Sequence, residues 1–101
     1  MNAVFKALSD PTRRRVLQLL RAGPMTAGDL AQHFEVSKPT MSAHFTVLRE
    51  ADLIEADKTG RTITYRLKMS VLEDALMGFA GAVGLGIERE EPKSQEGVNP
   101  Q

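Results

Sequence analysis

Apolar residues recur along this chain with two different periods. Val4, Phe5 and Leu8 fall at helical spacing in a short opening segment, residues 3–8. Asp10-Pro11 then marks a helix start. An Asp side chain accepts bonds from the free amides of a first turn, and Pro is preset for the first helical position. The helix predicted over residues 11–21 buries Val16, Leu17, Leu19 and Leu20, and Gly23-Pro24 stops it. Thr26, with Asp29 three residues on, opens the next helix in an arrangement close to a capping box, with Leu30, Ala31 and Phe34 as its inner stripe. After a turn through Glu35-Val36, Ser37 caps a further helix. Its Met41, Phe45 and Leu48 stand at i, i+4 and i+7, which makes one narrow apolar face.

From Leu53 the period shortens. Leu53-Ile54-Glu55-Ala56-Asp57 and Thr62-Ile63-Thr64-Tyr65-Arg66-Leu67 are rich in β-branched and aromatic residues and flank Lys58-Thr59-Gly60-Arg61, a hairpin signal. Ile63, Tyr65 and Leu67 read as the inner face of a half-buried strand, with Thr62, Thr64 and Arg66 outside. Ser70 starts a last helix reaching about Gly86, with Leu72, Ala75, Leu76, Phe79 and Val83 on one side and glycines that weaken it in isolation. Residues 88–101 are polar, with Pro92 and Pro100, and read as a disordered tail behind a single domain over residues 1–87. The fold class is mainly α with a β-hairpin: a winged helix-turn-helix of three core helices and a wing, with terminal helices for dimerisation.

That order of elements has a mechanical logic. Two short helices joined by a tight turn brace each other, so the second presents its outer face and N-terminus to a DNA major groove. With Met41, Phe45 and Leu48 inward, a helical wheel points Pro39, Ala43 and Thr46 outward, flanked by Lys38, Thr40 and Ser42. This small polar surface allows close approach to base edges. Lys58 and Arg61 at the hairpin tip add two cations suited to phosphate, and His44 lies between the inner and outer faces. The middle helices already supply an inner stripe each, so the extra apolar face of Leu72, Leu76, Phe79 and Val83, with Val4, Phe5 and Leu8, reads as a dimer surface.

Composition agrees with this and narrows it. The chain has 101 residues, 42% hydrophobic and 26% charged, one domain's worth of soluble protein small enough to gain from pairing with a second copy. No apolar run nears the ~20 residues of a membrane span, and the first residues lack a signal-peptide pattern. A cytoplasmic location without membrane insertion is expected. The net charge is zero, which is unpromising for a DNA binder. Residues 88–101, however, carry two cations against four carboxylates, leaving eleven against nine elsewhere. The placement of the cations therefore matters more than their number.

The stretch Ser37-Lys38-Pro39-Thr40-Met41-Ser42-Ala43-His44-Phe45-Thr46-Val47-Leu48-Arg49-Glu50-Ala51 resembles the recognition-helix signature of ArsR-type transcriptional repressors. Asp10-Pro11-Thr12-Arg13-Arg14-Arg15-Val16-Leu17 resembles the opening of that family's second helix. The likeness covers about residues 3–80. Within the family the chain is most similar to the metal-independent SdpR-type autorepressors, through Phe5-Lys6-Ala7-Leu8-Ser9-Asp10-Pro11, Met25-Thr26-Ala27-Gly28-Asp29 and Ser70-Val71-Leu72-Glu73-Asp74. The resemblance implies a homodimeric repressor of double-stranded DNA, with contacts from Ser37, Lys38, Thr40, Ser42, Ala43 and His44 and with Lys58, Thr59 and Arg61 on or near the backbone. It also implies control of the protein's own operon. Ala43 replaces the longer polar side chain of many relatives, which limits readout there to contact with a thymine methyl. Glu35 stands in the turn where Gly or Asn would tolerate a left-handed backbone at less cost.

Other chemistry finds little support. There is no cysteine, and the two histidines, His33 and His44, lie on different predicted helices. The last helix offers Glu73 and Asp74, neighbours that do not share a face, so no metal site and no cofactor is expected. His33 reads as a surface residue. The Arg13-Arg14-Arg15 run reads as a solvated structural face, with Asp10 and Arg14 paired at i, i+4. No nucleophile-base set and no Gly-rich phosphate loop points to an enzyme. The rival reading is a winged-helix module for protein contact without a specific DNA target. It predicts bulky apolar or acidic residues on the recognition face, and there are none. A protein or small-molecule effector is compatible with the sequence, which does not identify one.

Overall fold

The computed structural model describes residues 2–86, so the tail assigned to residues 88–101 lies outside the described residues. The elements run α1 (Asn2–Leu8), α2 (Pro11–Leu20), β1 (Met25–Thr26), α3 (Ala27–Ala31), α4 (Lys38–Glu50), β2 (Ile54–Thr59), β3 (Thr62–Leu67) and α5 (Met69–Ala82). The local start signals act as their chemistry requires. The Asp10 carboxylate accepts the Arg13 amide at 3.0 Å and caps α2, and Pro11 takes the first position. The Thr26 and Ser37 hydroxyls accept the Asp29 amide at 3.0 Å and the Thr40 amide at 3.2 Å, capping α3 and α4. Each cap satisfies an amide that the helix itself leaves free, worth about 1 kcal/mol.

The core lies where the helices converge on the sheet. Met41, Phe45 and Leu48 of α4 are buried against Val16, Leu17 and Leu20 of α2, Leu30 of α3 and Tyr65 of β3. Burying each of those α4 side chains contributes about 1.5–3 kcal/mol, so apolar packing fixes which face of α4 looks inward. Phe45 and Tyr65 stack with ring centroids 4.6 Å apart, and burial pushes the Tyr65 phenol above its usual pKa despite Arg49 nearby. Leu19, expected inside, is only half-buried.

The hairpin is longer than its sequence signal. β2 and β3 pair antiparallel up to Thr59 opposite Thr62, leaving Gly60-Arg61 as a two-residue turn. Gly60 has φ +60, at the position type II′ hairpin turns reserve for glycine. A third strand was not anticipated: Met25 and Thr26 pair with Tyr65 and Thr64, giving the sheet order β1-β3-β2. Two residues carry no periodicity of their own.

Helix ends also depart from expectation. Glu35 does not adopt a left-handed backbone; the one non-glycine residue that does, among those described, is Asp52 at φ 62. It ends α4 in a Schellman arrangement, with the Asp52 amide donating to Arg49 O (2.9 Å) and the Leu53 amide to Leu48 O (3.0 Å). The Asp52 carboxylate also accepts from Lys68 Nζ at 2.7 Å, which raises the Lys68 pKa. Lys68, not Ser70, holds the N-cap position of α5, without a side-chain cap, and the helix ends at Ala82 instead of continuing to Gly86. Gly84, at φ +82, closes it with a second such arrangement, in which the Leu85 amide reaches Ala80 O at 2.7 Å.

Candidate nucleic-acid interface

α4 has thirteen residues and turns its apolar stripe inward, so its opposite face is open. Ser37, Lys38, Pro39, Thr40, Ser42, Ala43 and Thr46 are all exposed. At the helix start Ser37 does two things. Its oxygen accepts the Thr40 amide, and its own proton is donated to Thr40 Oγ1 at 2.9 Å. The Thr40 hydroxyl proton therefore stays available for an outside acceptor. Lys38 adds a full charge where the helix dipole is already positive, a combination that favours a phosphate. Across the hairpin, Lys58, Thr59 and Arg61 are exposed at the tip of the wing. Neither wing cation has an ion pair or a side-chain hydrogen bond with described residues.

His44 is the exception among the expected contact residues. Its side chain is 15% exposed and turns toward the junction of α1 and α2. Arg13 Nη1 lies 3.1 Å from His44 Nδ1, and Asp10 Oδ2 lies 3.9 Å from Nε2. Burial pushes the Asp10 carboxyl up, but the Arg13 amide bond and the neighbouring His44 and Arg13 side chains outweigh it, and its pKa falls below the usual 3.8.

The arginine run is built into the fold more than its solvated reading suggests. Arg13 Nε donates to Ala7 O (2.8 Å) and Nη2 to Lys6 O (2.9 Å), while Arg14 Nη1 donates to Leu8 O (2.8 Å). The expected Asp10–Arg14 pair gives way to these bonds, because carbonyls at the end of α1 have no partner within their own helix. Arg15 reaches Gln18 at 3.0 Å. Sequence reasoning missed Arg13: its partners sit on two other helices, and periodicity along one helix gives no sign of them.

The second expected surface is partly corrected. Val4 is 6% exposed and belongs to the core, so it is withdrawn from a partner. Leu8 and Leu72 are half-buried against the same core. Leu76 and Phe79, each 44% exposed, and Val83 at 53% form an open apolar ridge along α5 and its C-cap. Phe5 joins it, its ring centroid 5.0 Å from that of Phe79. Leu8, Leu17, Leu67, Leu72 and Leu76 line an open groove of about 280 Å³ beside this ridge. Among the described residues no three His, Asp or Glu side chains group to hold a metal ion, and no helix is long and apolar enough to cross a membrane.

Residues 8–57 match a family model described as a helix-turn-helix domain. The chain is 51% identical over 86 residues to the transcriptional repressor SdpR of Bacillus subtilis, a match covering 85% of this chain and 96% of that protein. It is 36% identical over 79 residues to the arsenical resistance operon repressor of Staphylococcus aureus, across 78% of this chain and 76% of that one. A crystal structure of an ArsR family transcriptional regulator superimposes with a TM-score of 0.76 at 32% identity, covering 82% of this chain and 86% of that chain.

Proposed function

This chain belongs to the ArsR family of winged helix-turn-helix DNA-binding transcriptional repressors, and on that footing we propose that it acts as a cytoplasmic, homodimeric autorepressor without enzymatic activity. The observation that carries this reading is the open face of α4. Hydroxyls and small side chains lie beside Lys38, all of them exposed, with two cations free at the wing. Ser42, Ala43 and Thr46 face base edges, Ser37, Lys38, Pro39 and Thr40 bring the helix start to the backbone, and Lys58, Thr59 and Arg61 track the adjacent phosphates. Two copies joined through Phe5, Leu76, Phe79 and Val83, with Leu8 and Leu72 at the margin, present two such helices about a two-fold axis. The matching operator is an inverted repeat whose half-sites stand about 34–36 Å apart or a multiple of it.

Metal does not relieve repression in this reading. The chain has no thiolate, and one of its two imidazoles is engaged by Arg13. The test is selection of bound fragments from a random duplex pool, followed by titration of the recovered sequence. An inverted repeat bound with nanomolar affinity and unaffected by zinc or arsenite is expected. Recovery of no common motif, or of a single unpaired half-site, would overturn the proposal.

A further inference from the structure

We infer that Arg13 is a positioning residue for DNA recognition, fixing the rotation of α4 relative to α1 through His44. The inference rests on the dimeric reading above and concerns how spacing in the dimer reaches the groove-reading helix.

The geometry is a three-way junction. One edge of the Arg13 guanidinium holds Ala7 O and Lys6 O at 2.8 and 2.9 Å, and the remaining Nη1 meets His44 Nδ1 at 3.1 Å. Arginine only donates, so Nδ1 accepts and the imidazole proton resides on Nε2, the nitrogen facing Asp10. The Asp10 carboxylate in turn caps α2 through the Arg13 amide. α1, α2 and α4 thus meet at one planar group, and α1 carries Phe5, which packs on Phe79 of the apolar ridge.

Apolar packing alone does not set this relation. Met41, Phe45 and Leu48 lie in the core and choose the buried face of α4, but hydrophobic attraction is non-directional and opposes small rotations about the helix axis only weakly. A rotation of α4 by about 10° moves groups at the ~5–6 Å radius of its side-chain shell by about 1 Å, enough to spoil a hydrogen bond to a base edge. The Arg13–His44 bond is directional, and it lies next in sequence to Ala43 on the open face. It restrains the rotation that the apolar stripe leaves free.

The consequence is read in the spacing of half-sites. Operators are compared whose spacer is the selected one or is changed by one base pair, which displaces a half-site by about 3.4 Å. The ratio of the two affinities does not depend on the folded fraction, so a loss of stability alone leaves it unmoved. The wild type is expected to prefer the selected spacing by about tenfold or more. Arg13→Lys, which keeps the charge but loses the fork, brings the ratio within about threefold. His44→Leu does the same, whereas His44→Asn, with an acceptor near the position of Nδ1, restores the preference. Wild-type ratios in both Arg13→Lys and His44→Leu would overturn the inference while leaving the dimer intact. A wild type indifferent to spacing would instead overturn the dimeric reading.

Discussion

Replacing Lys58 and Arg61 together with alanine removes both cations from the tip of the wing. The two side chains are exposed and bonded to nothing among the described residues, so their loss costs the fold little. Each phosphate neutralised on duplex DNA contributes about 0.9 to the slope of log affinity against log salt. Two cations in each of two protomers make four contacts, so the slope is expected to fall in magnitude by about 3.6. Between about 50 and 200 mM salt, the wild type should then lose roughly 150-fold more affinity than the variant. The assay is fluorescence anisotropy on the selected operator at four or five salt concentrations. The sequence motif recovered by the variant should be unchanged, because phosphate contacts carry no base information. A slope altered by less than about one unit would refute the placement of the wing on the backbone. A change near 1.8 would mean that only two of the four contacts form.

Three further outcomes test the local physics. Asp52→Gly and Asp52→Ala both lose the Lys68 pair, so their difference isolates the left-handed backbone at that position. Glycine should be the more stable by about 1–2 kcal/mol in urea denaturation, and equal midpoints would exclude strain there. Ser37→Ala should cost about 1 kcal/mol by the same measurement, and Ser37→Gly only a few tenths, since the cap bond to Thr40 is lost but the backbone is tolerated. The folded-state pKa of Asp10 lies below its ordinary 3.8, so its contribution to stability is fully present above that value and lost as pH falls through the lower one. Asp10→Asn should therefore flatten the decline of stability as pH falls below the ordinary 3.8, and an unchanged decline would contradict the assignment.

Much of this molecule was legible in its sequence because its main signals are local. The stripe Met41, Phe45 and Leu48 fixes which face of α4 is open, and Asp10, Thr26 and Ser37 act within three residues of themselves. What escaped depends on residues far apart in the chain. β1 exists because Met25 finds Tyr65, and the role of Arg13 requires α1 and α4 at once. Helical spacing groups Val4 with Phe5 and Leu8 but does not say which neighbour a terminal apolar residue meets, and Val4 meets the core. Asp52 gave no sign either, since an aspartate after a helix reads as an ordinary polar turn.

The sheet order bears on how copies of this protein avoid sticking to one another. An open strand edge is a template for unwanted pairing between molecules. Here one border of the sheet, β1, is two residues long, too short to recruit a neighbour. The other, β2, carries Glu55, Asp57 and Lys58, whose burial or juxtaposition against another strand would be costly. Association through strand edges is discouraged on both sides, so the dimer proposed above does not compete with pairing along the sheet.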